Sequence, residues 1–474
     1  MRSNPHILEI NVRVWFLKIQ REVPGVLTLA DVPDSYLAEI KEWGFDALWL
    51  MGVWKTGAVA REVARENAGI NEAVGRVVGD YSREDIWASP FAILDYEADE
   101  MFGGNGALLK FKQRLNEMGV ALILDFVGNH LTVDHPLTLS DPEIFVRPGF
   151  EPEDKETFFL TEGGEWLAHG KDPNTPAWTD TVQLNLFHPR ARELVVEQIL
   201  QVMDLCDGVR CDVTMVMLGK IFEGTWEGYV REARPEEELW TEVLRAARAK
   251  DPSFVFVAEV YWGLEWELQQ LGFDYTYDKV IYDRLLLSTP SDVRGHLGAE
   301  LDYQARSVRF IGNHDEELPV AVFGAERAKA AAVVTSTVPG ARLFILNQLY
   351  GEKLRLPVQY VPRSGEINEE VFGFYRGLLE IINHPCFHEG KWEMLGVRGA
   401  EDVFAWVWTW SEERRIVVVN YSGEGARFVV EFVMAEGARV REEFRQEEVE
   451  VVRVEGGFEV EMGAWGVGVF ATGA

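Results

Sequence analysis

Four segments of the chain end an apolar, strand-like run in carboxylates, an arginine or an Asn-His pair. They are LILDFVGNH (122–130), GVRCD (208–212), FVFVAE (254–259) and FIGNHDE (310–316). In a parallel α/β barrel, catalytic groups are assembled where the carboxyl ends of the strands meet. One apolar run ending in Asp would be weak evidence, but four in order along the chain predict a catalytic rim.

The second segment pairs a cation with a carboxylate. Arg210 and Asp212 are two positions apart on a predicted strand, so their side chains emerge on the same side. A guanidinium beside a carboxylate favours the ionised form, which a nucleophile requires. Asp212 is therefore a candidate nucleophile, and a buried ion pair without a catalytic role is the alternative.

The other segments supply two further carboxyl groups and two histidines. Glu259 follows the apolar run 254–258, which would partly desolvate it and raise its pKa, as suits a general acid near neutral pH. The alternative is a strand-end glutamate that points into solvent. Asp315 is the third candidate carboxylate, and the alternative is that it caps the segment that follows it. His130 and His314 end separate predicted strands, which favours ligand contact over a structural role for the pair.

The elements that must position these residues alternate as strand and helix over the first 385 residues or so. Apolar runs predict eight strands, the number of a TIM barrel, at residues 7–16, 47–51, 120–126, 208–213, 254–260, 273–277, 308–312 and 342–346. Helical spacing of apolar residues predicts helices at 108–118, 192–205, 236–250 and 369–382. We therefore predict an α/β fold, a (β/α)8 TIM barrel formed by residues 1–129 and 186–385.

Two stretches break this alternation. Residues 130–185 contain several prolines and a Gly-Gly pair, and they are too many for an ordinary loop after the third strand, so we predict an excursion domain over the barrel mouth. Residues 386–474 lack the helical pattern. Their apolar runs at 403–410, 416–420, 428–432 and 449–454 predict a C-terminal all-β sandwich.

Composition limits the classes of partner. A net charge of −32 argues against nucleic acid and against an anionic membrane surface. No apolar run reaches membrane-spanning length. The first sixteen residues, MRSNPHILEINVRVWF, lack the features of a signal peptide, so we expect a cytoplasmic protein. Nothing in the sequence indicates the oligomeric state.

Taken together, the four segments resemble the sequence regions of the α-amylase family, glycoside hydrolase family 13. The family patterns Asp-x-Val-x-Asn-His, Gly-x-Arg-x-Asp, a strand-end Glu and Asn-His-Asp match residues 125–130, 208–212, 259 and 313–315. The segment Tyr81-Ser-Arg-Glu-Asp85 resembles the family's Tyr-x-x-x-Asp. The order of barrel, excursion and C-terminal β-domain is similar too.

The resemblance implies a role for each matched side chain. It implies a retaining mechanism in which Asp212 attacks the sugar, Glu259 is the general acid and Asp315 stabilises the transition state. His130 and His314 would donate hydrogen bonds to sugar hydroxyls. The remaining matches are Arg210 beside the nucleophile, Asp125 as the carboxylate that orients Arg210, and Tyr81 as a ring that stacks on bound sugar.

The chain departs from the family after Asp212. Many α-amylases continue with a Lys-His pair that binds sugar on the leaving-group side, whereas this chain reads Val213-Thr-Met-Val216. The family's calcium site uses the residue matched by Asn129, and Asp172 or Asp180 could supply further oxygen ligands. Asn129 as a turn residue is the alternative. No cofactor is required by the chemistry, and Ca²⁺ is a possible ligand.

These observations predict a retaining glycoside hydrolase that acts on α-glucosidic bonds, such as those of α-1,4-glucans or malto-oligosaccharides. A 4-α-glucanotransferase or another transglycosylase would use the same carboxylates with a sugar as acceptor. A catalytically idle, sugar-binding relative is a further alternative, because fold does not imply function. Chain length, linkage preference and acceptor are not visible in the sequence.

Overall fold

A computed structural model describes residues 1–78, 80–361, 367–435 and 438–473. Eight parallel strands close into a barrel: β1 (His6–Asn11), β2 (Ala47–Met51), β3 (Ala121–Phe126), β4 (Gly208–Cys211), β5 (Val255–Ala258), β6 (Tyr275–Tyr277), β7 (Ser307–Arg309) and β8 (Ala341–Ile345). Each strand pairs with its sequence neighbours, and β1 pairs with β8 to complete the ring. The predicted TIM barrel is confirmed.

The barrel strands form because their residues are apolar on both faces. Strands covered by helices outside and by side chains inside read as continuous Val, Ile and Leu runs rather than as an alternation. All five residues of β2 and of β8 are buried, for example. Charged residues inside such strands, which include Glu9 and Arg210, are therefore forced to find partners within the barrel.

The predicted end of the first strand is wrong. The sequence suggests a strand over 7–16, but β1 ends at Asn11 and a helix begins at Val12. Asn11 is the N-cap, and its side-chain oxygen accepts a hydrogen bond from the Val14 backbone N–H at 3.3 Å. The apolar residues after Asn11 form the buried face of that helix. The prediction failed because a short apolar run does not distinguish a strand from a buried helix.

Helices connect the strands around the outside of the barrel. The predicted helix at 369–382 is observed with those bounds, and Asn368 caps it by accepting from the Val371 N–H. The α-helices of the described chain, including those of the two insertions described below, are Val12–Glu22, Asp34–Glu42, Ala58–Glu66, Ala68–Val78, Gly104–Glu117, Leu137–Ser140, Pro189–Val202, Gly219–Thr225, Leu239–Lys250, Glu265–Leu271, Lys279–Leu287, Pro290–Leu297, Leu301–Ala305, Pro319–Val322, Ala325–Thr337, Leu346–Leu349, Glu369–Ile382 and Cys386–Glu389.

Two insertions stand at the carboxyl end of the barrel. After β3, residues 130–185 form a pair of two-stranded sheets, from His130–Thr132 with Thr181–Gln183 and from Phe158–Leu160 with Trp166–Ala168. After β2, a ribbon of Trp54–Thr56 with Ile93–Ala98 encloses the two helices between residues 58 and 78. The first insertion matches the predicted excursion, and the second is absent from our sequence prediction.

The C-terminal part is all-β, as predicted. One sheet contains Lys391–Met394, Val403–Trp410, Glu413–Asn420, Val467–Gly473, Val440–Glu442 and Glu447–Val449, and the other contains Val397–Arg398, Ala426–Val430, Gly457–Met462 and Val452–Val454. The single strand predicted at 449–454 is two strands in different sheets. Trp408 ties this part to the barrel, since its indole N–H donates to the Thr337 carbonyl at 2.6 Å. No helix among the described residues has the length and apolarity needed to cross a membrane.

Candidate active site

Arg210 lies at the centre of the carboxyl end of the barrel. It stands on β4 beside Asp125 of β3 and Val257 of β5 in the strand register, and its side chain is 1% exposed. Nη1 donates to Asp212 Oδ1 at 2.6 Å, and Nη2 lies 2.8 Å from Glu259 Oε2. The two nitrogens of one planar guanidinium thus hold two carboxylates side by side.

Two further carboxylates lie at the limit of ion-pair distance from Arg210. Nη1 is 3.8 Å from Asp125 Oδ1, and Nη2 is 3.9 Å from Asp315 Oδ2. Three aromatic rings surround the guanidinium, with centroids 5.4, 5.2 and 5.9 Å from Cζ in Trp49, Phe91 and Tyr277. These rings attract the cation and exclude water, so the charges interact in a medium of low dielectric.

Burial separates the carboxyl groups by their affinity for protons. Loss of solvent raises the pKa of Glu259 to about 7; the charge of Arg210 opposes this shift, while the charges of Asp212 and Asp315 add to it. Burial also raises the pKa of Asp125 to about 7, against the opposing charge of Arg210. A carboxyl group that titrates near neutrality can both give and take a proton, as a catalytic acid and base must.

His314 connects Asp315 to a glutamate of the first strand. Its Nδ1 lies 2.6 Å from Glu9 Oε1, and its Nε2 lies 3.0 Å from Asp315 Oδ2. Burial opposes a charged imidazole, but the two carboxylates outweigh burial and raise the pKa of His314 well above its usual value. Partial loss of solvent opposes ionisation of Asp315, whose side chain is still 45% exposed, yet the charges of His314 and Arg210 lower its pKa to about 2. A protonated His314 thus lies between two carboxylates.

The backbone after Asp212 is strained at the point where it meets Glu259. Val213 has a φ of 35°, in the left-handed region that a β-branched residue rarely adopts. In this conformation its N–H donates to Glu259 Oε2 at 2.5 Å, while the Thr214 N–H donates to the Glu259 carbonyl at 3.1 Å. Such outliers persist where the surroundings over-determine them, often at active sites.

His130 and Asn129 lie together under the first insertion. Both are buried. The His130 ring is 5.2 Å from that of Trp178, and burial lowers the pKa of His130 although the charge of Asp212 raises it. Asn129 is paired with Gln183: the Gln183 Nε2 donates to Asn129 Oδ1 at 2.9 Å, and the Asn129 Nδ2 donates to Gln183 Oε1 at 3.2 Å.

Tyr81 is placed beside the helices of the second insertion. Its hydroxyl donates to Asn71 Oδ1 at 2.6 Å, and its ring packs at 6.2 Å from that of Tyr360. Arg210 and the four carboxylates around it, Asp125, Asp212, Glu259 and Asp315, are called the Arg210 cluster below. In the described ranges, no hydrogen bond, ion pair or ring contact joins Tyr81 to this cluster. The ring that does adjoin the cluster is Phe91, whose centroid is 5.3 Å from that of His314. Stacking of Tyr81 on a sugar therefore stays a prediction.

The side-chain oxygen of Asn129 is engaged in a hydrogen bond, and calcium binding there stays a prediction. The Asn129 Oδ1 accepts the Gln183 amide N–H at 2.9 Å, so a cation there would have to share that oxygen with the donor. Asp172 Oδ1 accepts the backbone N–H groups of Asn174 and Thr175, and burial alone raises the pKa of Asp180 to about 6. Over the part of the chain that the structure describes, no group of three His, Cys, Asp or Glu side chains could hold a metal ion.

Replacing Gln183 by Leu is expected to lower the free energy of unfolding by about 1–3 kcal/mol, because the buried side-chain oxygen of Asn129 loses its donor. Urea unfolding measures this loss. Gln113→Leu, which removes an exposed amide, is the matched control and should be nearly neutral.

Thermal unfolding tests the calcium prediction. We expect the Tm of the unaltered protein to agree within about 1 °C between excess EDTA and millimolar CaCl₂, because a ligand raises stability only if it binds the native state. A higher Tm in CaCl₂ that is lost in Asn129→Ala would instead support a calcium site.

The sequence analysis missed six residues of the site: Glu9, Phe91, Gln183 and Tyr261, together with Trp49 and Tyr277, whose rings lie against Arg210. Glu9 and Tyr261 carried a signal. Glu9 interrupts the apolar run of β1, and a charge in a fully buried strand demands a partner. Tyr261 lies two positions after Glu259, and its hydroxyl donates to Glu259 Oε1 at 2.9 Å. Gln183 and Phe91 gave no signal, since their partners are distant in sequence and come from other elements.

The chain is similar to α-amylases in sequence and in fold. The chain is 24% identical over 254 residues to α-amylase MalA from Haloarcula japonica, a match that covers 52% of this chain and 34% of that relative. The chain therefore spans about a third of the length of that relative. No protein-family model matches.

Solved structures match nearly the whole chain. The maltogenic α-amylase AmyB from Thermotoga neapolitana aligns with a TM-score of 0.70 at 21% identity, over 99% of both chains. The α-amylase from Geobacillus thermoleovorans, solved with acarbose, gives 0.69 at 17% identity over 100% of both chains. A debranching enzyme from Nostoc punctiforme gives 0.67 at 14% identity, over 99% of this chain and 98% of that one. At these identities the structural matches establish the fold.

Proposed function

We propose, from the confirmed resemblance to the α-amylase family, that this chain hydrolyses α-glucosidic bonds with retention of configuration. The observation that carries the proposal is the pair of carboxylates, Asp212 and Glu259, held on the two nitrogens of Arg210. One of them titrates near pH 7 and can serve as acid. Retaining glycosidases need such a close pair, one group as nucleophile and the other as proton donor.

In the first half of the reaction, Asp212 attacks the anomeric carbon while Glu259 protonates the departing oxygen. Arg210 occupies Asp212 Oδ1, and among the described contacts Oδ2 accepts no hydrogen bond, so its lone pairs can form the new C–O bond. The glycosidic bond breaks as the leaving group takes the proton from Glu259. The product is a covalent glycosyl-enzyme and an ionised Glu259.

In the second half, Glu259 takes a proton from the acceptor, and the acceptor oxygen displaces Asp212. Asp315 stays ionised throughout, because His314 and Arg210 hold its pKa at about 2. We assign it to stabilising the positive charge that develops on the sugar ring. Its side chain is 45% exposed at the mouth, where a sugar can reach it, and we assign His314 and His130 to contact with sugar hydroxyls.

A second candidate reaction is transfer to a sugar acceptor. The chain after Asp212 is apolar, with Met215, Val216 and Met217 all buried, and Trp262 is 45% exposed just beyond Glu259. An exposed indole offers a flat apolar face for a sugar ring. A sugar held there would compete with water for the glycosyl-enzyme, so transglycosylation is favoured by this one surface.

Product analysis after incubation with maltoheptaose tests both reactions. Shorter maltodextrins alone support hydrolysis, and products both longer and shorter than the substrate support transfer. Products that first form in the α-configuration, measured by NMR, support retention, and β-products would contradict it. Binding without any turnover of maltoheptaose or of other α-glucosides would identify an idle, sugar-binding relative.

The pH dependence of kcat/KM should report Glu259. We expect kcat/KM to fall as the pH rises through about 7, because Glu259 must be protonated to act as acid and burial raises its pKa to about that value. Initial rates with maltoheptaose over a pH series measure the fall. Glu259→Gln, assayed with an activated substrate that needs no acid, should lack it. A rate that is constant across neutral pH would contradict the assignment.

A further inference from the structure

We propose that Tyr261 is a positioning residue that keeps the catalytic proton of Glu259 on one oxygen, Oε1, and releases it from there. The inference rests on the proposed function, because it concerns the acid of that reaction. It stands on the partners of the two carboxyl oxygens, which differ in kind: a backbone amide and a cation at Oε2, and a phenol hydroxyl at Oε1.

The oxygen Oε2 of Glu259 already accepts one hydrogen bond and faces a cation. The Val213 backbone N–H donates to it at 2.5 Å, and the Arg210 Nη2 lies 2.8 Å away. An arginine keeps its protons in proteins, and a backbone amide has only a proton to offer. A proton on Oε2 would meet the Val213 N–H head-on and lie against the positive charge of Arg210, so a protonated Glu259 carries its proton on Oε1.

The oxygen Oε1 faces a group that can reverse its role. The Tyr261 hydroxyl lies 2.9 Å from Oε1, and a phenol both donates and accepts. Against the ionised carboxylate the hydroxyl donates its proton, and against the carboxylic acid its oxygen can accept. Tyr261 stays a neutral phenol, since burial, followed by the charges of Glu259 and Asp315, raises its pKa well above 10.

The loop geometry holds Tyr261 in this place. Trp262 and Gly263 both have positive φ values, 65° and 74°, so the chain turns sharply directly after Tyr261. Tyr261 itself is half-buried at the charged end of the barrel. The groups that face Glu259 from other elements are Arg210 and Asp212 at the end of β4 and Asp315 after β7. Tyr277 on β6 lies against Arg210.

Removing the Tyr261 hydroxyl should therefore change how Glu259 holds its proton. The donated hydrogen bond stabilises the ionised form, so its loss raises the pKa of Glu259 further. We expect the basic limb of kcat/KM to move up by about one pH unit in Tyr261→Phe. The free proton can also turn away from the leaving group, and we expect kcat/KM for maltoheptaose to fall about tenfold, part of what acid catalysis contributes.

Leaving-group dependence separates positioning from a merely structural role. α-Maltosyl fluoride needs little protonation as its fluoride departs, so Tyr261→Phe should turn it over within about twofold of the unaltered chain. The matched control is Tyr303→Phe, which removes another half-buried phenol hydroxyl outside the Arg210 cluster. This control should keep the pH profile and both rates.

The outcomes decide between the two levels of the argument. Two results would overturn the role of Tyr261 while leaving the proposed function intact: an equal fall in kcat/KM for both substrates in Tyr261→Phe, or a basic limb of kcat/KM that does not move. An unaltered chain that turns over neither maltoheptaose nor the fluoride would refute the proposed function, and this inference with it. The expected pattern is a rate loss for the oligosaccharide only, together with the upward shift of the basic limb.

Discussion

Asp212→Asn is expected to lower kcat for maltoheptaose by at least about 10⁴-fold, the scale of loss when a nucleophile is removed. The amide has the shape of the carboxylate, and its oxygen can still accept from Arg210 Nη1, so the fold should persist. It cannot form the glycosyl-enzyme, because an amide oxygen is a poor nucleophile. Loss of this charge also removes one of the influences that raise the pKa of Glu259.

The measurement combines rates with mass spectrometry. A fluorinated maltosyl fluoride that slows the second step should add one glycosyl unit to the unaltered chain and none to Asp212→Asn. Asp172→Asn is the matched control, since it removes the same charge from the first insertion and should keep both the rate and the adduct. Substantial turnover by Asp212→Asn would exclude Asp212 as the nucleophile.

Arg210→Lys is expected to have the second largest effect, on activity and stability together. An ammonium is a point charge on a flexible stem, so it cannot hold Asp212 and Glu259 on two fixed nitrogens. We expect kcat/KM to fall by about 10³-fold, from misplacement of both groups. Partial loss of a buried ion-pair network should lower the free energy of unfolding by about 3 kcal/mol at neutral pH.

The pH dependence of that stability loss has a defined sign. The pKa values of Asp125 and Glu259 are already raised to about 7, and a weaker partner cation raises them further. Because these pKa values are higher in the folded chain than in the unfolded one, the folded chain binds more protons above about pH 4. Its stability therefore falls as the pH rises from about 4 to above 7. Arg210→Lys should therefore be closest to the unaltered chain at weakly acidic pH and furthest from it at alkaline pH.

Urea unfolding across that pH range measures the effect. Arg309→Lys is the control: it alters a buried arginine of β7 that pairs with Asp278, outside the Arg210 cluster. That variant should lose stability too, but it should keep the pH profile of activity. A pH-independent loss in Arg210→Lys would show that the raised carboxylates are not held by Arg210.

The sequence predicted the barrel well because each strand is a local apolar run, as the five apolar residues of β2 show. It also predicted which carboxylates converge, since each ends such a strand and parallel strands share one rim. Partners across the barrel were not predictable in this way. The contact between Glu9 and His314 joins residues 305 positions apart, and no local pattern connects them. The boundaries of the three predicted domains, and the role of Tyr81, remain predictions.

Four carboxyl groups within 4 Å of one guanidinium have a consequence for inhibitors. Even with His314 charged, ionised Asp125, Asp212, Glu259 and Asp315 would outnumber the nearby cations Arg210 and His314, so this rim of the barrel attracts positive charge. A basic sugar analogue, protonated on its ring nitrogen, would therefore bind more tightly than its neutral counterpart. Such a cation would lower the pKa of Glu259 in turn, so binding it near neutral pH would release a proton to the buffer, a quantity that calorimetry in buffers of different ionisation heat can count.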